Sequence, residues 1–250
     1  MLTDTHSHLD MIKETGIEEV LRNAAEAGVE KIIIPSAGPE NIPKVMELVN
    51  KYDNVFGLLG VHPSDAEKGY DENEFIRLAQ NPKIKGIGEI GLDYYYDKAS
   101  AQIQKDIFIS LLKLANRLNL PVNVHDREAH EDTFEILQKY NKNSKVVLHC
   151  FSGNLNFAQK CVEAGYYLGI GGIVTFKNAK DLQEVAAKIP LEHILLETDA
   201  PFLAPVPYRG KENQPAYVKL AAQEIARLRG ITFEEAARVT TSNAEFVFNI

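Results

Sequence analysis

Short apolar segments rich in β-branched residues recur along this chain, and longer segments with a helical pattern separate them. Eight such segments predict strands: "MLTDTH", "KIIIPS", "VFGLLGVHP", "IKGIGEIGLD", "PVNVHD", "KVVLHCF", "YYLGIGG" and "HILLETDAP". Between them, apolar residues stand three and four positions apart, as on one face of an amphipathic helix. This spacing predicts helices at Ile17–Ala27, Ile42–Tyr52, Gln102–Asn119, Thr133–Tyr140 and Asn156–Ala164, with further helices in Pro215–Ile250.

Eight strands alternating with helices within 250 residues is the size and rhythm of a (β/α)8 TIM barrel. A doubly wound open sheet is the competing α/β arrangement. Its dinucleotide-binding loop places glycines between a strand and a helix, whereas the glycines of "GIGEIG" fall inside the fourth predicted strand. We therefore predict an α/β fold of the TIM barrel type. Because no proline- or glycine-rich linker interrupts the chain, we also predict one domain over residues 1–250.

Composition restricts the class of protein. Hydrophobic residues make up 45% of the chain and charged residues 25%, as in ordinary soluble globular proteins. The first residues lack the basic and apolar regions of a signal peptide, and no apolar run approaches the length of a membrane span. We expect a cytoplasmic protein with no membrane partner. Cys150 and Cys161 lie in apolar surroundings without metal-binding spacing, so we expect two buried free thiols.

The net charge of −8 disfavours a protein that coats nucleic acid through a broad basic surface. It is compatible with an enzyme that holds one or two phosphates locally. None of these features encodes the oligomeric state, and a monomer is compatible with all of them.

Polar residues stand at the ends of predicted strands, where a parallel barrel collects its reactive groups. They are His6 and His8 on the first strand, His62 on the third, Glu89 on the fourth, His125 on the fifth, His149 on the sixth and Asp199 on the eighth. In an extended strand residues i and i+2 share a face, so we expect His6 and His8 side by side. Taken singly, each residue has a structural explanation, such as a hydrogen-bonded core histidine or a paired carboxylate. Together they would be costly to bury unless divalent metal ions held them.

The chain contains a series of motifs in a fixed order: "DTHSHLD", "GVHP", "GIGEIGLDYY", "VHDREA", "LHCFSG" and "ETDAPFLAPVPYRGKENQPAYV". This series resembles that of the TatD-type metal-dependent deoxyribonucleases, a family of the amidohydrolase-like superfamily. The resemblance covers essentially the whole chain, and the order of the motifs makes it far more specific than "HSH" alone.

The resemblance implies a centre of two divalent metal ions. One ion is held by His6, His8, Glu89 and Asp199, and the second by His125 and His149, with Glu89 as the bridging ligand. Two such ions can clamp the attacking and leaving oxygens of a phosphodiester. Imidazole-rich ligation suits Zn or Mn, whereas phosphoryl chemistry commonly uses Mg, so Zn, Mg and Mn all stay open.

Catalytic roles are expected for Asp199 and Glu89. Asp199 is expected to accept the proton of the attacking water as well as to bind metal, and Glu89 to serve both ions. Arg209 follows the eighth strand, where barrels commonly build phosphate sites, although a solvated loop charge is the alternative. His62 and Arg127 are further candidates for substrate contacts. Asp93 is a candidate partner for a metal-bound histidine.

Three further features affect the expected substrate surface. The run Tyr94–Tyr96 offers either a stacking surface for a nucleobase or aromatic packing of a loop. Two positions depart from the family pattern, because Asp126 replaces a small hydroxyl residue and Glu212 replaces a frequent basic residue. Both add negative charge near the expected substrate loop, which disfavours tight binding of long DNA. His193 precedes the eighth strand, and we expect it on the surface at the opposite end of the barrel.

These observations predict a metal-dependent hydrolase that cleaves phosphodiester bonds of DNA. We expect it to act on strand ends or single-stranded segments, because an acidic surface holds long duplexes poorly. DNA or an oligonucleotide is the expected partner. The alternative is a hydrolase of carboxyl esters or amides, such as an aminoacyl ester or lactone, since the same chemistry attacks a carbonyl. A third possibility is a non-catalytic protein that retains a metal site, which turnover of any substrate would exclude.

Overall fold

The computed structural model describes residues 1–96 and 99–250. Within these ranges, strands and helices alternate along the chain. The strands are β1 Leu2–Asp4, β2 Val29–Pro35, β3 Val55–Leu59, β4 Ile84–Asp93, β5 Val122–Arg127, β6 Val146–Leu148, β7 Tyr167–Ile170 and β8 Ile194–Leu196. The α-helices are α1 Ile17–Glu26, α2 Ile42–Lys51, α3 Glu72–Leu78, α4 Ala101–Leu118, α5 His130–Tyr140, α6 Leu155–Glu163, α7 Lys180–Lys188, α8 Val218–Arg229 and α9 Phe233–Phe248. Each apolar segment named above overlaps one of these strands.

The strands of the described residues belong to one eight-stranded sheet with the order β1 to β8. Neighbouring strands pair in parallel, as shown by β1 with β2, β3 with β4, β4 with β5, β5 with β6 and β7 with β8. Parallel strands that follow one another in chain order, with helices between them, have the topology of a (β/α)8 TIM barrel. This is the predicted fold class.

The chain divides into two compact units. The first consists of Met1–Ile34 and Cys150–Ile250, and the second of Pro35–His149. The prediction of a single domain over residues 1–250 therefore stays a prediction.

The first unit contains β1, β7, β8 and nearly all of β2, together with α1 and α6 to α9. Its strands contribute fully buried aliphatic residues such as Ile32 and Ile194, and α8 and α9 contribute Ala221 and Phe248. A burial coefficient of about 25 cal/mol per Å² makes this apolar packing the main favourable contribution to folding.

The second unit contains β3 to β6 and α2 to α5. Nine of the ten residues of β4 are buried, as expected for a parallel strand that is covered on both faces. Helix α4 begins after Ser100, whose hydroxyl accepts the backbone N–H of Ile103 and so satisfies one donor at the helix start. The N-cap of α3 is Asp71, which accepts two backbone N–H groups in the same way.

The strand that precedes the histidine pair is shorter than predicted. Because β1 ends at Asp4, His6 and His8 lie beyond it, and strand alternation does not explain their common direction. An isolated parallel bridge between Ser7 and Ala200 orders this segment instead, and the N–H of His8 donates to the Ala200 carbonyl at 2.6 Å.

Composition led to expectations about the cysteines and about membrane-spanning segments. Neither cysteine is part of a disulfide, and Cys161 is buried as expected, whereas Cys150 is half-buried. Among the described residues, the structure contains no helix with both the length and the apolar character needed to cross a membrane.

Candidate metal centre

The first unit brings together three of the predicted metal ligands, His6, His8 and Asp199, which we call the His6 group. The Nε2 atoms of His6 and His8 lie 3.1 Å apart. Oδ1 of Asp199 lies 3.8 Å from Nε2 of His6 and 3.6 Å from Nε2 of His8. Both imidazoles are buried, while the Asp199 side chain keeps 16% of its surface exposed. Three ligand atoms thus lie close together, and one of them belongs to a side chain that is partly exposed.

A buried carboxylate, Asp4, ties together the two segments that carry the His6 group. Its Oδ1 accepts the backbone N–H of Thr198 at 2.9 Å, and its Oδ2 accepts the Thr198 hydroxyl at 2.6 Å. The N–H of Asp199 donates to the carbonyl of His6 at 2.9 Å, which joins the same segments. Burial raises the pKa of Asp4 well above its usual range, even though these hydrogen bonds to Thr198 favour the charged form.

The second unit brings together Glu89, His125 and His149, which we call the Glu89 group. Oε1 of Glu89 lies 2.8 Å from Nδ1 of His125 and 3.2 Å from Nε2 of His149. One ligand atom from each residue falls within 4.8 Å of the others. Burial alone would raise the pKa of Glu89, but the neighbouring imidazoles of His62, His149 and His125 outweigh it and hold that pKa well below its usual range.

Asp93 contacts His125 at the ring nitrogen that faces away from Glu89, and its predicted role beside a metal-bound histidine stays a prediction. Oδ2 of Asp93 lies 3.1 Å from Nε2 of His125. Although burial opposes ionisation of Asp93, its contact with His125 lowers the pKa of this carboxyl to about 2. Burial likewise opposes protonation of His125, but the two carboxylates raise its pKa to about 8. A histidine that faces a carboxylate with one nitrogen and offers the other is a common arrangement for metal ligands.

Two residues of the second unit make this arrangement possible and were not predicted as functional. Gln104 on α4 accepts the N–H of Asp93 at 2.8 Å and donates to its carbonyl at 3.0 Å, which fixes the end of β4. Gly91 has a φ of 142° and lies so close to β5 that an added Cβ would come within 2.0 Å of the His125 carbonyl oxygen. Only glycine fits at position 91, and it allows β4 to run close to β5, so that Glu89 and Asp93 both reach His125.

The hydrogen bonds of His62 assign it a donor role. Nδ1 of His62 accepts the backbone N–H of Ser64 at 3.1 Å, so a neutral ring carries its proton on Nε2. That Nε2 lies 3.7 Å from Oε1 of Glu89, too far for a hydrogen bond between the two. Its ring packs edge-on against His125, with centroids 4.4 Å apart. His62 also belongs, with Asp93 and His125, to a set of residues whose ligand atoms lie within 4.8 Å of one another, and its role in substrate binding stays a prediction.

The tyrosine run divides between the two predicted roles. Tyr94 is half-buried and donates its hydroxyl to Asp132 at 2.6 Å, and burial and this carboxylate raise its pKa to about 12. Tyr95 and Tyr96 are exposed, and the guanidinium of Arg127 lies over both rings at 4.1 and 4.8 Å. Tyr94 thus packs the loop, while its neighbours present aromatic surface beside a cation.

Arg209 and the two departures from the family pattern have identifiable partners. The exposed Arg209 guanidinium lies 4.4 Å from the centre of the Phe176 ring. Asp126 faces His130 at 2.7 Å, which raises the pKa of His130. Glu212 accepts the backbone N–H groups of residues 13–15 at 2.8 to 3.2 Å. Asp126 is therefore paired with an ionisable histidine, whereas Glu212 keeps its negative charge while it holds the segment of residues 13–15.

His193 differs in part from its expected surface position. It is half-buried, its Nδ1 lies 2.8 Å from the carbonyl oxygen of Tyr166, and its ring stacks on Tyr167 at 5.3 Å. These contacts give His193 a structural role that requires no metal ion.

The donor chemistry of both groups fits a divalent cation. Imidazole nitrogens and carboxylate oxygens are the ligands that zinc and manganese accept most readily in proteins. In the His6 group the three ligand atoms lie 3.1 to 3.8 Å apart. Bringing these polar groups together in a buried environment is costly unless a cation or protons satisfy them.

Comparison with known proteins assigns the chain to a family. A sequence model of the family described as TatD related DNase matches residues 3–249. The chain belongs to the TatD family. The TatD-family structure of YjjV from Escherichia coli superposes with a TM-score of 0.93 at 34% identity, covering 100% of this chain and 98% of that one. This similarity confirms the predicted fold class and the predicted resemblance.

Curated relatives of this TatD-family chain carry the names of metal-dependent hydrolases. YabD of Bacillus subtilis, named an uncharacterized metal-dependent hydrolase, is 42% identical over 254 residues, and the match covers 100% of both chains. YcfH of Escherichia coli, named in the same way, is 40% identical over 258 residues, covering 100% of this chain and 96% of its own length. The chain is thus a member of a family of metal-dependent hydrolases.

Proposed function

We propose that this protein is a metal-dependent deoxyribonuclease that hydrolyses phosphodiester bonds at strand ends or in single-stranded segments of DNA. The observation that carries the proposal is the pair of imidazole–carboxylate clusters, the His6 group and the Glu89 group, in a chain matched over residues 3–249 by the TatD related DNase model. Following the family resemblance, we further propose two divalent ions of Zn, Mg or Mn, with Glu89 as a ligand common to both.

Divalent ions bound to these residues would supply electrostatic stabilisation of the phosphodiester and would lower the pKa of water. Asp199 is the proposed proton acceptor, because its carboxylate is partly exposed and therefore reaches water. The Nε2–H of His62 is a proposed donor to a phosphate oxygen. Arg209 is proposed to hold a substrate phosphate, and Arg127 to contact the substrate beside the exposed tyrosines.

The proposal is tested with protein that has been stripped by a chelator and reloaded with Zn, Mg or Mn separately. The substrates are end-labelled single-stranded DNA, blunt duplex DNA, RNA and a neutral carboxyl ester. We expect metal-dependent release of nucleotides from DNA that is fastest on the single strand. Glu89→Ala should lose both this activity and bound metal, while Glu47→Ala, an exposed glutamate on α2 of the same unit, should retain both.

Two outcomes would contradict the proposal. Hydrolysis of the ester without cleavage of DNA would favour the carboxyl-ester alternative. Full metal content in Glu89→Ala, measured by elemental analysis, would exclude a shared ligand role for this carboxylate.

A further inference from the structure

A patch of large apolar side chains is exposed directly after Asp199, in the loop that follows β8. Phe202 is 50% exposed, Leu203 38% and Val206 47%. We call these three residues the 202–206 patch. Exposed apolar side chains in a cluster mark a binding surface more often than single exposed ones do.

The loop that carries the patch is fixed by buried polar contacts on one side. The amide of the fully buried Asn213 donates to the carbonyl of Phe202 at 2.7 Å and to the carbonyl of Thr198 at 2.8 Å. The N–H of Phe202 donates to the carbonyl of Asp199 at 2.8 Å. Phe202 is thus held in a defined position relative to the ligand carboxylate.

A second set of contacts holds the other end of the patch against the turn of 3-10 helix at Gly172–Thr175. The Thr175 hydroxyl accepts the N–H of Val206 at 2.9 Å. The loop approaches Gly172 so closely that an added Cβ would come within 2.6 Å of the Leu203 carbonyl oxygen. Leu203 itself adopts a φ of 55°, a conformation that costs energy for a bulky residue. These contacts restrain the loop backbone in a conformation in which the three apolar side chains are exposed.

The patch lies beside the His6 group. The Phe202 ring packs edge-on near the imidazole of His8, with centroids 6.2 Å apart. Farther along the same loop, Arg209 supplies a cation whose guanidinium lies over Phe176. The same loop therefore carries an exposed aromatic ring near a candidate metal ligand and, seven residues farther along, a residue type that binds phosphate. A nucleotide has the matching chemistry, because its flat base is one sugar away from its phosphate.

We propose that Phe202, supported by Leu203 and Val206, stacks on the base of an unpaired nucleotide whose phosphate is bound at the His6 group. This inference rests on the proposed phosphodiesterase function and adds a binding determinant to it. The base must be unpaired or terminal, because inside a duplex its neighbours cover both faces. Stacking is tolerant of sequence, since every base has a flat face. The patch would thus select single strands and frayed ends without selecting a sequence.

The test compares oligonucleotides that differ only in their bases. The substrates are a short single-stranded DNA and the same strand with abasic residues in its terminal dinucleotide. Phe202→Ala should lower kcat/KM on the intact strand by about tenfold to a hundredfold, the range for loss of one stacked base. On the abasic strand the same substitution should have little effect. Phe202→Tyr should retain most of the wild-type kcat/KM on the intact strand. Phe246→Ala, which alters a 61% exposed phenylalanine on α9, should leave kcat/KM unchanged on both strands.

A binding measurement keeps the inference separate from the activity. A trinucleotide with terminal 2-aminopurine should lose fluorescence on binding to the wild type and to Phe202→Tyr, but not to Phe202→Ala. Absence of DNA cleavage by the metal-loaded wild type would overturn the proposed function, whereas the quenching result would still decide the stacking contact. Equal loss on intact and abasic strands, or equal quenching in Phe202→Ala, would overturn the inference and show that the patch covers something other than a base.

Discussion

At the scale of single residues, the carboxylate of Asp93 orients the imidazole of His125. Oδ2 of Asp93 contacts one nitrogen of His125, while Oδ1 accepts the backbone N–H groups of Tyr95 and Tyr96 at 2.9 Å. One side chain therefore orients a candidate ligand and the first residues of the exposed aromatic surface. Arg209 shows the opposite case, an exposed cation whose described contact is a ring face and whose predicted partner is a substrate phosphate.

Arg209→Ala should leave the metal content near normal, because a guanidinium cannot ligate a metal. Loss of a charged hydrogen bond to phosphate costs about 1.5–3 kcal/mol, so kcat/KM on a phosphodiester should fall about tenfold to a hundredfold. Hydrolysis of a neutral carboxyl ester should fall much less. Arg22→Ala, an exposed arginine on α1 paired with Glu19, is the matched control. An equal loss on both substrates would show that Arg209 supports the fold instead.

At the scale of secondary structure elements, side chains at or near the ends of strands make the contacts that join neighbouring elements beside the candidate ligands. Asp4 closes β1 and joins it to the segment after β8, and Gln104 on α4 fixes the end of β4. At the start of α5, His130 is paired with Asp126 of β5. These contacts connect one element to the next at the positions from which the ligands project.

Asp4→Ala should lower the free energy of unfolding by about 2–4 kcal/mol. The substitution leaves two buried donors of Thr198 without an acceptor, at about 1–3 kcal/mol each. Urea unfolding at neutral pH measures the change. Asp4→Asn keeps an acceptor oxygen and should lose less. Equal stability of the wild type and Asp4→Ala would mean that other contacts hold these segments together.

The pair between His130 and Asp126 should make stability depend on pH. Because the pKa of His130 is raised in the folded protein, the pair stabilises fully below the unfolded histidine pKa of about 6.5 and loses its effect as pH rises through the folded value. The free energy of unfolding of the wild type should exceed that of His130→Gln by up to about 1 kcal/mol at pH 5.5, and the difference should shrink by pH 9. Asp126→Asn should remove the same dependence. A difference that grows with pH would contradict this assignment.

At the scale of the whole molecule, the candidate ligands are spread over almost the entire chain, from His6 to Asp199. Only His6 and His8 are close in sequence, and the members of the Glu89 group lie at least 24 residues apart. A bound cation would therefore cross-link segments that are far apart in sequence, and metal binding should be coupled to folding.

Removal of metal by a chelator should lower the midpoint of thermal unfolding. A ligand that binds only the folded chain stabilises it by about 2.7 kcal/mol at a concentration of 100 Kd, which is about 5–10 °C for a protein of this size. Calorimetry of stripped and reloaded protein measures the shift. Glu89→Ala should lose most of it, while Glu47→Ala should keep it. A full shift in Glu89→Ala would show that the cation binds elsewhere.

The sequence by itself determined the fold class and the identity of the candidate ligands. The spacing of apolar residues was sufficient to locate the eight strands, because buried parallel strands are continuous apolar runs. The family resemblance placed His6, His8, Glu89 and Asp199 around one ion, and the structure brings His6, His8 and Asp199 together. Convergence of all six ligands on two ions stays a prediction.

Only the tertiary structure decided how these residues are held and what surrounds them. The contacts of Asp4 with Thr198, of Gln104 with Asp93 and of Asn213 with Phe202 join residues that no local pattern relates. The proton position on His62 depends on a local contact instead, the backbone N–H of Ser64 two residues along the chain. Periodicity reports which face of an element is buried, but hydrogen bonds between distant segments depend on packing, and packing is settled only when the whole chain is folded.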